Sequence, residues 1–173
     1  VTSRELLDFP QLPNKLVIVG AGVIGLEMAA YFAGMGTKVT VVEMLDKIAG
    51  TMDRKITKML QKELEKKGIQ FMLGYQVTEI EKDGVVCKKE DQWIRCKADK
   101  ILWSVGRHPI IKGLGLESVN LKIENGKIVT DEHLRTPVEG IYAAGDVNGK
   151  MMLAHTAYRE SETAVNDMFG IQD

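Results

Sequence analysis

The sequence has little with which to build a disulfide framework, a membrane span or a nucleic-acid surface. It holds two cysteines in 173 residues, Cys87 and Cys96. Their spacing, on what read as neighbouring strands, fits neither a disulfide scaffold nor a metal-ligand set, so both are expected to be buried, idle thiols and no metal is expected. An excess of charge is also lacking. With 23 Lys and Arg against 24 Asp and Glu, the formal net charge is −1, which excludes a broad pull toward nucleic acid or an anionic membrane. Any phosphate must therefore be bound locally. No run approaches the roughly 20 consecutive apolar residues of a membrane span, and Val1 to Phe9 are too polar for a signal peptide. The expectation is a cytoplasmic protein with no membrane or nucleic-acid partner. There is no internal repeat or low-complexity tract. Nor is there an initiator Met: the chain opens on Val1, and the expectation is a fragment or processed form.

What is present is an ordinary globular composition, 45% hydrophobic and 27% charged, enough for one good core. Leu16 to Val19 read as a buried strand after the Pro13-Asn14 turn, and Val23 to Met35 as a helix with apolar residues on nearly every side. Val39 to Glu43 is a second buried strand. Met52 to Lys67 places Ile56, Met59, Leu60 and Leu64 at helical spacing, with Lys and Glu facing water. Ile69 to Leu73 completes a strand-helix-strand-helix-strand order, which implies a parallel sheet with right-handed crossovers. Three short segments follow, Gln76 to Glu81, Val85 to Lys89 and Trp93 to Ala98, with the marks of an antiparallel meander. Ile101 to Val105 returns to the buried-strand pattern. Gly113 to Gly126 reads as loop, Lys127 to Val129 and Gly140 to Ala144 as strands, and His155 to Met168 as a final helix.

The strand at Val17 meets the following helix through Gly20-Ala21-Gly22-Val23-Ile24-Gly25, a G-x-G-x-x-G turn. Gly20 permits the tight bend, Gly22 lets a pyrophosphate approach the backbone, and Gly25 allows close helix-strand packing. The helix start then offers unpaired N–H groups and a partial positive charge to the phosphates, with no lysine required. The second strand ends in Glu43. Its carboxylate can accept from the adenosine ribose hydroxyls, and its charge repels a 2′-phosphate, so NAD is expected in preference to NADP. Lys47, just beyond, is the residue that could argue for NADP. The fold class these features predict is α/β: a Rossmann-like dinucleotide-binding domain whose parallel sheet carries a three-stranded antiparallel meander.

Five strings occur in order: the glycine turn continuing through Leu26-Glu27, the Val41-Val42-Glu43 strand end, Leu102 to Pro109 around Gly106-Arg107, Thr136 to Asp146, and Met152-Leu153-Ala154-His155. Together they resemble the pyridine nucleotide-disulfide oxidoreductases, a family built on the FAD/NAD(P)-binding fold, and the last string is most similar to its dihydrolipoamide dehydrogenase branch. The resemblance implies an NAD-binding domain over residues 12–130, with 1–11 and 131–173 as remnants of a surrounding FAD-binding domain. It places Glu27 near the nicotinamide, Val77 against the adenine and Gly106 where the dinucleotide passes close to the backbone. Asp146 would accept from a ribityl hydroxyl of FAD, and Met152, Leu153, Ala154 and His155 would border the flavin. On the residues alone, Gly145-Asp146 is also a common turn, Val77 an ordinary core valine and His155 a polar residue near a helix start.

The catalytic parts that the resemblance calls for are missing from these residues. No Cys-x4-Cys pair occurs, and the one His-x4-Glu spacing, His155 with Glu160, falls in the flavin-edge string and not in a catalytic one. The expected parent is an FAD-dependent, NAD-linked dihydrolipoyl dehydrogenase, a homodimer acting on protein-bound lipoyl groups of 2-oxo acid dehydrogenase or glycine cleavage complexes. The chain itself would bind NAD(H) without turnover. Two alternatives stay open: a sibling such as another disulfide reductase, mercuric reductase or NADH oxidase, and a stand-alone NAD-sensing module.

Overall fold

The computed structural model describes residues 1–171. A short helix α1 (Ser3–Leu7) leads into β1 (Lys15–Val19), α2 (Val23–Gly34), β2 (Lys38–Glu43), α3 (Arg54–Lys66) and β3 (Gln70–Leu73). Then come β4 (Gln76–Glu81), β5 (Gly84–Lys89), β6 (Gln92–Lys97) and β7 (Lys100–Trp103), followed by β8 (Ile123–Glu124), β9 (Lys127–Ile128) and α4 (Ala154–Met168). Two compact units divide the chain, Val1–Gly106 and the residues from Arg107 onward.

In the first unit β3, β2, β1 and β7 form a parallel sheet in that order. A parallel strand is covered on both faces, and β1 shows why its residues read as one apolar run. Successive side chains point to opposite faces. Leu16 and Ile18 join Leu26, Ala29 and Phe32 of α2 in one cluster, while Val17 and Val19 join Val85, Cys87 and Ala98 in another. The second cluster lies beneath the antiparallel meander β4-β5-β6. The sheet is thus the middle layer, with α2 on one face and the meander on the other. Helix α1, which the sequence pattern does not announce, is held by a reciprocal cap: Glu5 N–H donates to Thr2 Oγ1 at 3.4 Å and Thr2 N–H to Glu5 Oε2 at 2.7 Å. It buries Leu6 in the first cluster.

Helix α3 departs from the periodicity reading. Thr57 and Leu64 are its buried residues, while Ile56, Met59 and Leu60 are exposed. The apolar stripe is real, but its contact with the unit is narrower than the stripe. The thiols also differ from expectation in degree: Cys87 is fully buried, whereas Cys96 is half-buried and donates to Met72 Sδ at 3.2 Å. Burial is the main reason the Cys87 thiol is pushed up to about 12, with Cys96 adding to it.

In the second unit β8 and β9 make a two-residue hairpin, and Leu116–Val119 forms a turn of 3₁₀ helix inside the stretch read as loop. The expected strand at Gly140 to Ala144 does not form. Apolar residues alone do not make a strand without an edge to pair with, and the segment finds one isolated bridge, Arg135 with Tyr142. Helix α4 carries Asp167, whose carboxylate accepts from Arg135 and from the Tyr142 hydroxyl at 2.7 Å. The Arg135 guanidinium, and next the phenol, hold the Asp167 carboxyl below the ordinary carboxylate range. No helix of the described residues is long and apolar enough to cross a membrane.

Candidate functional site

The carboxyl ends of parallel strands are where open α/β sheets bind ligands, and here the ends of β1, β2 and β7 meet at the glycine turn. Gly20 leaves β1 with φ +103°, a backbone state that an L side chain rarely adopts. A Cβ there would lie 2.6 Å from the Ser104 carbonyl oxygen, and one at Gly25 would lie 2.1 Å from that of Gly20. Both glycines are fixed by protein. At Gly22, by contrast, an added Cβ meets nothing within 4 Å. Gly22 is the N-cap of α2, no side chain caps the helix, and its first turn holds no acid. This is an open, uncapped helix start of the kind that takes an anion.

Glu43 closes the other side. Its Oε2 accepts from the Ala21 N–H at 2.8 Å and its Oε1 from the Leu45 N–H at 2.9 Å. Two backbone amides thus hold the carboxylate against the loop, and about two of its four lone-pair positions stay free for a ligand. The Lys47 ammonium is turned away from this role, since it donates to the Met52 carbonyl at 2.9 Å. Beneath the loop lies a crevice of about 270 Å³ lined by Val19, Gly20, Glu43, Tyr75, Val77 and Trp103 among others. Gly106 follows with φ +136° and open space where a side chain would stand.

The structure therefore brings together Gly20, Ala21, Gly22, Glu43 and Val77. Val23 and Ile24 form the first turn of α2, and Glu27 lies on its exposed surface beyond that turn. Sequence reading missed Ser104. Its hydroxyl donates to the carbonyls of Val19 and Gly20, at 3.0 and 3.1 Å, tying β7 to the glycine turn. A serine two residues before Gly106 is no signal by itself; only the sheet order places it there.

In the second unit Asp146 is exposed and lies in the 3₁₀ turn Gly145–Asn148. Arg107 forms an ion pair with it, at 3.4 Å, and also donates to the Met152 carbonyl. Met152 and Leu153 are half-buried, while Ala154 and His155 are exposed at the start of α4. Glu160 does not turn to His155 but accepts from the Gly145 N–H at 2.6 Å and from Asn148 Nδ2 at 2.8 Å. Arg107, Asn148 and Glu160 are thus the organisers of this turn; of the three, the sequence left Asn148 unmarked and gave Arg107 and Glu160 no such role. Among the described residues, no three His, Cys, Asp or Glu side chains converge as a metal site.

Comparison with known proteins gives the family and the fold. Residues 1–161 match the family model described as pyridine nucleotide-disulphide oxidoreductase. The chain is 43% identical over 171 residues to a dihydrolipoyl dehydrogenase of Acholeplasma laidlawii, covering 99% of this chain and 50% of the relative. It is 40% identical over 177 residues to that of Bacillus subtilis, covering 99% and 37%. Among solved structures, LpdA from Mycobacterium tuberculosis superposes with a TM-score of 0.86 at 29% identity, covering 99% of this chain and 38% of that one. The chain thus spans half or less of the length of these relatives.

Proposed function

The chain belongs to the pyridine nucleotide-disulphide oxidoreductase family, and on that premise we propose that its residues 12–130 bind NAD(H) in preference to NADP(H). The observation that carries this reading is the Glu43 carboxylate bonded to the Ala21 amide beside the open Gly22. In that position it can accept from adenosine ribose hydroxyls. Against a 2′-phosphate it acts as a like charge: two unit charges 4 Å apart at an effective dielectric of about 20 repel by about 4 kcal/mol. Even cut severalfold by solvent, that amounts to tenfold discrimination or more. The pyrophosphate is received by the uncapped start of α2, and Gly22 leaves its path clear.

Bound nicotinamide supplies a hydride acceptor; the protein's share is to orient it and hold it against the sheet edge. Residues 1–11 and 131–173 belong, in this reading, to the flavin side, with Asp146 and Met152 to His155 facing FAD. Arg107 and Glu160 hold that turn in shape. The whole protein is then an FAD-dependent dihydrolipoyl dehydrogenase-like enzyme, a homodimer that passes electrons from protein-bound lipoyl dithiols to NAD⁺. The dehydrogenase part of this reading is supported by relatives that are dihydrolipoyl dehydrogenases. The redox cysteine pair that such chemistry needs does not occur in these 173 residues, and the one His-x4-Glu spacing, His155 with Glu160, has its glutamate bonded to Gly145 and Asn148, so the chain by itself is expected to bind and not to turn over.

Titration with NADH and NADPH tests the central claim. NADH should bind at least tenfold tighter, and Glu43→Arg should erode the difference. Equal affinities in the unaltered protein would remove the role given to Glu43.

A further inference from the structure

Where the parallel sheet meets the meander, three sulfur side chains come together that the dinucleotide reading does not use. Side chains alternate along β3: Phe71 and Leu73 pack on the α2 face, and Met72 between them packs on the meander face. In the meander the register sets Val85 opposite Cys96 and Cys87 opposite Ile94. Cys87 and Cys96 are therefore diagonal neighbours on one face of the β5-β6 pair, and both pack into the same cluster as Met72. The Cys96 thiol donates to Met72 Sδ at 3.2 Å, and the Cys87 thiol donates in turn toward the Cys96 sulfur. Three strands in two layers thus deliver two thiols and a thioether to one place. The cysteines alone gave no sign of this, because the third member lies on another strand 24 positions from Cys96.

The two thiols are not equivalent. Cys87 is fully buried and its thiol is pushed up to about 12, chiefly by burial. Cys96 is half-buried; burial raises its thiol too, but the hydrogen bond from Cys87 works in the opposite direction. Cys96 is the thiol that can yield its proton, with Cys87 left as a donor to the thiolate. Among the described residues no third His, Cys, Asp or Glu joins the pair, so the tetrahedral ligand set of a zinc site and the oxygens that calcium or magnesium requires are both lacking. Thiolate with thioether is instead the donor set of a soft cation, Cu(I) above all. A monovalent charge suits the surroundings as well, since it cancels against one thiolate and leaves no net charge in an apolar layer.

We propose that Cys96 and Met72, with Cys87 behind them, form a binding site for a soft monovalent cation, Cu(I). On binding, the Cys96 S–H bond breaks and a sulfur–metal bond forms. The proton leaves to solvent, and the thioether lone pair that accepted the S–H accepts the cation. Neither sulfur changes oxidation state. Cys96 and Met72 are both half-buried, so the cation reaches them without unfolding of the chain. The proposal does not depend on the dinucleotide reading.

The test is an anaerobic titration of the 173-residue chain with Cu(I), kept reduced by ascorbate and buffered by a chromophoric chelator. Ag(I) serves as a redox-inert second probe and Zn(II) as the contrast. Expected are about one Cu(I) bound and about one proton released per chain, with Ag(I) competing for the same site and Zn(II) at least about a hundredfold weaker. C96S and M72L should each lose about tenfold or more in Cu(I) affinity, and C87A, which removes only the donor to the bound sulfur, about tenfold. M59L, at an exposed methionine away from the cluster, should change nothing. Circular dichroism checks that each variant folds; M72L keeps the side-chain volume and loses only the sulfur, so it carries the test should C96S fail to fold. No Cu(I) taken from the chelator would overturn the proposal, as would unchanged affinity in C96S. Unchanged affinity in folded M72L would reduce Cys96 to an ordinary thiol, and Zn(II) bound as tightly as Cu(I) would remove the soft-cation assignment; either result overturns the proposal.

Discussion

Two glycines three positions apart offer the sharpest separation of fold from function in this molecule. Gly25→Ala places a methyl 2.1 Å from the Gly20 carbonyl oxygen and 2.8 Å from Ser104 Oγ. The first neighbour is backbone and cannot rotate away, so α2 must retreat from β1 by about 1 Å before the contact becomes tolerable. Overpacking of this kind costs about 1–3 kcal/mol. Loss of the Ser104 hydrogen bonds to Val19 and Gly20 adds about 1 kcal/mol. For a chain of this length 1 kcal/mol moves Tm by about 2–4 °C, so a fall of roughly 5–15 °C is expected. Gly22→Ala is the opposite case. Its Cβ enters open space at φ −74°, and the weaker helix cap, about 0.5–1 kcal/mol, is offset by reduced freedom of the unfolded chain, about 0.4–1 kcal/mol. Its Tm should stay within about 2 °C of the unaltered protein. The larger Gly22→Val fills the pyrophosphate path and should cost at least tenfold in NADH affinity while the fold survives. Thermal unfolding by circular dichroism, paired with NADH titration, reads both. A Gly25→Ala protein as stable as the parent, or a folded Gly22→Val protein that binds NADH normally, would refute the reasoning.

Two further outcomes follow from the titrating groups. The Asp167 carboxyl is depressed in the fold, so its contribution to stability is complete above the ordinary carboxylate range, about 3.9, and is lost as pH falls through the lowered value. Thermal midpoints of the parent should therefore exceed those of Asp167→Asn near neutrality and converge with them in acid; a gap that persists unchanged to pH 2 would rule the ion pair out as its source. With the Cys87 thiol pushed up to about 12 by burial, its thiolate at pH 8 is scarce. Its reaction with a disulfide reagent should be on the order of a thousandfold slower than that of a free thiol until the chain is unfolded, and rapid titration of both cysteines in the native protein would contradict this.

How much of this was legible in the residues differs from element to element. Strand β1 could be read because a strand buried on both faces is apolar throughout, and the meander because polar turns, at Lys82-Asp83 and Glu90-Asp91, separate its short alternating segments. The glycine turn and Glu43 could be read because each glycine answers a separate local demand and the acid closes the next strand. The stripe on α3 misled because periodicity shows which face is apolar, not how much of it a neighbour reaches. The stretch 140–144 misled for a related reason: strand formation is a property of a pair of edges, and one sequence shows one of them.

What the sequence determined by itself was local: the βαβ order, the G-x-G-x-x-G turn and the acid that closes the next strand, since each depends on residues within a few positions of one another. The sheet order β3-β2-β1-β7 was left to the tertiary structure, and with it everything that joins distant segments. Only that order sets Ser104 against Gly20 and stands Trp103 across β1 from Glu43. The physical reason is that hydrogen-bond and aromatic partners are fixed by proximity in space, which parallel pairing creates between residues as much as 85 positions apart.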